Sequence, residues 1–129
     1  MRTLLIQILV LSLNAVILLT GQLLIKINLS FLPVKPFSTV WDFMALIQRI
    51  FSMPVLLLGY CLSVFSGLLW VVILAKLELN YAVPLYIGIY YILLLATSYF
   101  ILHEAVNVLQ FTGALLILFG ILITVMAKT

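Results

Sequence analysis

Charge is what this sequence has least of. Among 129 residues there are six Lys or Arg, three Asp or Glu and one His, so charged residues make up only 7% of the chain. A soluble domain carries roughly 25%. A surface facing water could not be dressed from this stock, and the exterior must instead meet lipid. The small, scattered net charge of +3 gives no basic footprint for nucleic acid. With a single cysteine, Cys61, no intrachain disulfide is possible, and its position within an apolar run reads as a buried, inert thiol. One His, one Cys and three dispersed carboxylates, with no Gly-rich phosphate loop, form no catalytic or metal-binding constellation. An enzyme is therefore not expected, nor is a cofactor or a metal.

What is present is apolar. Hydrophobic residues make up 67% of the chain and the mean hydropathy is +1.45. A helix needs about 20 residues to cross a ~30 Å hydrocarbon core, so this length allows four or five crossings. Membrane barrels show alternation over ~10-residue segments, whereas these runs are continuous and Leu/Ile-rich. The expected fold is all-α and occupies residues 1–129 as one four-helix transmembrane domain. The spans fall at about 3–27, 54–75, 81–102 and 107–127. Pro33 and Pro36 break the chain after the first span, and Pro54 suits a first helical turn. Asn107 suits an N-cap. Met1-Arg2 and the following run look like a signal peptide, but the run outlasts a ~7–15-residue h-region and meets no A-x-A site, so it reads as a retained first helix.

Between the first two spans lies "FSTVWDFMALIQRIFS". Val40, Phe43, Met44, Ile47, Ile50 and Phe51 fall at helical spacing, with Asp42, Ala45 and Arg49 opposite. This is expected to be an in-plane amphipathic helix over about 39–52, with Trp41 at headgroup depth. A bent extension of the second span is the alternative. Four crossings put Arg2, Lys76 and Lys128 on one side, and Lys26, Lys35 and Arg49 on the other. Three against three gives the positive-inside rule nothing to act on, so orientation and dual topology stay open.

Candidate functional residues are the polar groups that hydrocarbon would not tolerate. Asn14, Leu18, Gln22 and Lys26 recur every four residues of the first span and form a slowly drifting stripe. It should face a bundle interior or a wet cavity, although Lys26 could instead snorkel to the interface. In the second span Gly59, Ser63 and Gly67 form a small-xxx-small ladder suited to close helix approach, beside Tyr60 and Trp70. The third span carries Pro84 and Gly88, where a bend is possible, with Tyr81 and Tyr91 on roughly the Gly88 face. In the fourth, Gly113 and Gly120 make a groove for a partner helix, the expected oligomer interface. Glu104 suits the N-terminus of that helix or a substrate contact. His103 reads as a turn residue at the interface.

Three stretches carry a resemblance: "TGQLLIK", "YAVPL" and "HEAVNVLQFTGALLILFGILI". Over most of the chain, the Pro-containing loop excepted, they resemble the four-helix members of the drug/metabolite transporter superfamily. The resemblance implies a small multidrug resistance-like bundle, working as a homodimer or as a heterodimer with a similar small protein, in a bacterial inner membrane. Two branches compete. The multidrug branch needs a carboxylate in the first helix, where this chain has Leu18, and Y-A-I-W where it has Tyr81-Ala82-Val83-Pro84. Lacking that acid, nothing can hold a cation and a proton in turn. The EamA-like flippase-subunit branch is the closer match through Gly21, Gln22 and Lys26, the Tyr-Ala-x-Pro start, and His103-Glu104. It implies a lipid-linked, polyprenyl-phosphate sugar or similar amphiphile as substrate. Asn14, Gln22, Lys26, Tyr60, Ser63, Trp70, Tyr81, Tyr91 and Glu104 are the candidate contacts. A metabolite or multidrug exporter, and a non-transporting scaffold subunit, are the alternatives.

Overall fold

Residues 2–30 contain no proline and one glycine, and nothing interrupts their helix. In the computed structural model, which describes residues 2–31, 39–105 and 107–127 (the side chains of 2–4 excepted), they form α1, Arg2–Ser30. At about 1.5 Å per residue α1 is roughly 44 Å long, so its ends reach beyond a hydrocarbon core. The other helices are α2 (Val40–Ser52), α3 (Pro54–Leu74), α4 (Leu79–Phe100) and α5 (Val108–Met126), and there is no strand among the described residues. Four of them, α1, α3, α4 and α5, are long and apolar enough to cross a membrane. The chain is a multi-pass membrane protein. Pro33, Lys35, Pro36, Lys128 and the Arg2 side chain lie outside the described residues.

Each boundary has a local cause. The Asp42 carboxylate accepts from the Thr39 N–H at 2.9 Å and from its hydroxyl at 2.8 Å, which starts α2. That helix stops at Ser52 because Met53 is extended (φ −106°, ψ 108°), the conformation a following proline imposes. So α2 is a helix of its own, not a bent extension of α3. At α5 the Gln110 side chain reaches back to the Asn107 N–H at 3.0 Å, the capping-box gesture. Helix α4 begins at Leu79, two residues before its sequence-based start. Pro84 therefore sits in the second turn, not the first, and leaves the Asn80 carbonyl without its helical N–H.

The exit from α4 is unusual. The Thr97 carbonyl accepts from both Ile101 and Leu102, and Glu104 N–H reaches the Ser98 carbonyl at 3.1 Å. The turn closes through His103 at φ 51°, a left-handed conformation that His tolerates better than most residues and β-branched residues do not. His103→Val should therefore lower stability by about 1–2 kcal/mol, and His103→Gly should be neutral or raise it by up to about 1 kcal/mol. In thermal melts His103→Val should fall below the wild type and His103→Gly should not.

The chain divides into two compact units, residues 1–16 with 68–129, and residues 17–67. In the first, α4 packs on α5. Gly88 is buried there, and a Cβ on it would stand 3.2 Å from Ile121 Cγ2. Leu11, Asn14, Ala15, Ile73, Ala82 and Ala114 are buried in the same unit. In the second, α1 crosses α3 at Gly21 and Gly59. A Cβ on Gly21 would meet the Gly59 carbonyl oxygen at 2.7 Å, and one on Gly59 would meet Ile25 Cγ1 at 2.8 Å. Leu19, Leu56 and Ser66 complete that core. Cys61, expected to be buried, is exposed on α3. It lies two residues from Gly59, about 200° round the helix from the α1 contact, where a small thiol sits acceptably against lipid.

Candidate functional site

In hydrocarbon every polar group needs a partner within the protein, and most here find one on their own helix. Ser63 donates to the Gly59 carbonyl at 3.0 Å, Thr97 to Leu93 at 2.8 Å, Thr112 to Val108 at 2.7 Å and Thr124 to Gly120 at 2.9 Å. The Asn28 amide donates to Leu24 at 2.8 Å near the end of α1. Such back-bonding to a carbonyl about one turn earlier is open to short side chains. The first-span stripe carries longer polar side chains, and its burial is uneven.

Burial along that stripe changes from one end to the other. Asn14 is 1% exposed, while Gln22 and Lys26 are exposed. At about 100° per residue, Gln22 lies within about 20° of both Leu11 and Ala15, and Lys26 within about 20° of Ala15. Leu11 and Ala15 are fully buried. The same sector of α1 is therefore covered in its first half and uncovered where the amide and the ammonium stand. The α3 contact explains this locally, because Gly21 and Ile25 face α3 and Gln22 and Lys26 each lie about 100° round from those neighbours. Within one chain the two longest polar side chains of the stripe are on the surface, beside the closest helix approach in their unit.

Ser63 belongs to that approach. Its Oγ would stand 2.9 Å from a Gly21 Cβ, so the hydroxyl fills the space a glycine leaves. The ladder read from the sequence is used at Gly59 and Ser63. Gly67 has nothing within 4 Å of a Cβ, and neither do Gly113 and Gly120 on α5. Tyr60, next to Gly59, is exposed.

The aromatic residues sort differently from their sequence reading. Trp70 of α3 meets Tyr86 of α4 with ring centroids 4.6 Å apart, and Tyr86 stacks on Tyr90 at 6.1 Å. Tyr86 and Tyr90 were not singled out in the sequence, although their four-residue spacing puts them on one strip of α4. They lie about 200° from Gly88, opposite the α5 contact. Tyr81 and Tyr91, the tyrosines chosen from the sequence, share by spacing the Gly88 side and are half-buried. Helix α4 thus keeps one aromatic strip for α3 and a glycine face for α5.

Glu104 is exposed, and its carboxylate accepts from the Ser98 hydroxyl. It closes back on the end of α4, while at the start of α5 the Gln110 side chain accepts from the Asn107 N–H. With Tyr99, Phe100, His103 and Ala105 it lines a shallow recess of about 400 Å³. Among the described residues no group of three or more His, Cys, Asp or Glu is placed to hold a metal ion. No family model matches this chain, and no curated protein or solved structure matches it either.

Proposed function

We propose that this chain is a transporter subunit that works as a dimer and flips a lipid-linked, polyprenyl-phosphate sugar or similar amphiphile across a bacterial inner membrane. One observation carries the reading: a membrane-crossing helix presents an amide and an ammonium, Gln22 and Lys26, on a sector that its own chain covers elsewhere but not there. A second copy completes that sector and turns it into a polar path between subunits. Lys26 meets the phosphate as a strongly hydrated point charge. Gln22 and the Tyr60 hydroxyl serve sugar and phosphate oxygens, while the tail stays in lipid. Leu18 in place of an acid removes the group a proton-coupled cation exporter would use. The resemblance of "TGQLLIK", "YAVPL" and "HEAVNVLQF" to the flippase-subunit branch supports the same reading.

Helix α5 supplies the dimer contact. Only 6% of its most apolar window is buried, against 28% for α1, and the space over Gly113 and Gly120 is open. Gly120→Leu should convert the dimer to monomers in mild detergent, as read by light scattering, with helix content unchanged. Helix α2 lies in the membrane plane in this reading. Val40, Trp41, Phe43, Met44 and Phe51 are exposed and no residue of α2 is buried, so this apolar face sits among acyl chains with Arg49 at the headgroups.

Proteoliposomes test the function directly. A flippase exposes a lipid-linked sugar, added to one leaflet, to an impermeant oxidant on the other side, and does so without a pH gradient. Uptake of a cationic dye that follows a pH gradient would identify an exporter instead. No movement of either by correctly folded dimers would identify a scaffold.

A further inference from the structure

A second polar feature lies at the opposite end of α1 from Lys26. Ile6, Gln7 and Val10 of α1 face Val72 and Ile73 of α3 and Lys76 and Leu77 of the following turn, around a groove of about 370 Å³. Its buried floor is Ile73, 6% exposed, and its walls are apolar. Its polar lining residues are Gln7 and Lys76. Gln7 is half-buried, and Lys76 is exposed in the turn that links α3 to α4. That turn is polar, "KLELN", which sets it at the edge of the hydrocarbon, with Val10 and Val72 about one turn deeper.

A trough of this kind, apolar in most of its lining and with an exposed ammonium among its lining residues, has the chemistry of one lipid class. We infer that it seats an acyl chain of an anionic phospholipid, whose phosphodiester accepts from the Lys76 ammonium and the Gln7 amide. An ammonium at the membrane surface attracts anionic headgroups, and the long lysine stem lets the charge follow the phosphate. Glu78 stands two residues from Lys76, at the N-cap of α4, and tempers this attraction. No residue that lines the trough is among those proposed to meet the transported substrate.

Native mass spectrometry of the purified dimer, titrated with phosphatidylglycerol or with phosphatidylcholine of the same chains, tests the assignment. The wild type should retain phosphatidylglycerol about fivefold more strongly, as expected of one lysine at an anionic surface. The double variant Lys76→Gln, Gln7→Leu should bring the two lipids to parity. Lys76→Arg should keep the preference, and Glu78→Gln should increase it. Val72→Trp, which fills the trough, should lower retention of both lipids. Lys26→Gln should change neither, so failure of the flippase reading leaves this result standing, and the reverse. Circular dichroism and gel filtration establish that each variant is folded. Equal retention of both lipids by the wild type, or a persistent preference in the double variant, overturns the inference. A change of oligomeric state in Val72→Trp with lipid retention unaltered also overturns it, by giving the groove to a second copy.

Discussion

Lys26→Gln should cut transbilayer movement of a lipid-linked sugar at least tenfold while leaving the dimer and its helix content intact. The expectation rests on the proposed function, in which the Lys26 ammonium meets a lipid-linked phosphate and Gln22 its neutral oxygens. A hydrogen bond to a charged group contributes about 1.5–3 kcal/mol, and a tenfold change in rate corresponds to about 1.4 kcal/mol. Glutamine keeps the polarity and much of the length but not the charge, so a loss of this size reports on the phosphate partner alone. Lys26→Arg should retain substantial activity, because the charge stays in place although its shape changes. Gln22→Leu should weaken movement less, since an amide meets the substrate by neutral hydrogen bonds. Lys26 is exposed in the single chain, and circular dichroism of the variant checks that the fold is kept. Unchanged movement in Lys26→Gln proteoliposomes, assayed beside the wild type at equal protein density, would remove the assignment.

The largest effect on stability should come from Gly21. Adding a methyl to a helical glycine ordinarily stabilises by roughly 0.5–1 kcal/mol. Here the methyl would sit 2.7 Å from the Gly59 carbonyl oxygen and 2.9 Å from Ser63 Oγ. The first of these is backbone and cannot rotate away, so α1 and α3 must part in that unit. Overpacking costs about 1–3 kcal/mol, which outweighs the helical gain. Gly21→Ala should therefore destabilise, and Gly21→Leu should cost about 3 kcal/mol. Gly67→Ala supplies the contrast: nothing lies within 4 Å of its Cβ position, and that variant should be neutral or slightly more stable. Reversible unfolding in bicelles separates the two signs. A stable Gly21→Leu would mean that the glycine contact is not what joins these helices.

The two predictions draw on different amounts of sequence information. Lys26 and Gln22 were visible as misplaced polarity in an apolar run, because hydrocarbon makes such groups conspicuous without any knowledge of neighbours. Gly59 and Ser63 were visible as a spacing, but Gly21 as their counterpart was not, since no rule along one chain says which glycine of another helix arrives opposite. Gly59, Ser63 and Gly67 shared one pattern, and only the first two are used. Tyr86 and Tyr90 show the same limit. Helix 79–100 carries five tyrosines, Tyr81, Tyr86, Tyr90, Tyr91 and Tyr99, and spacing alone does not tell which strip meets Trp70. The bond from Ser98 to Glu104 was not legible because the two stand six residues apart across a turn. Cys61 was misjudged because burial in a bilayer and burial in a protein look alike in composition.

The sequence by itself determined that this is a membrane protein of four spanning helices and one short amphipathic helix. A solvent without hydrogen bonds forces each long apolar segment to satisfy its backbone internally, whatever its neighbours are. Tertiary structure decided which side of each helix is covered, because that depends on contacts between residues far apart in the chain. It closed α1 on α3 through Gly21 and Gly59 and left Gln22 and Lys26 at the surface. It also left the glycines of α5 open and set Lys76 and Gln7 in the lining of an apolar groove.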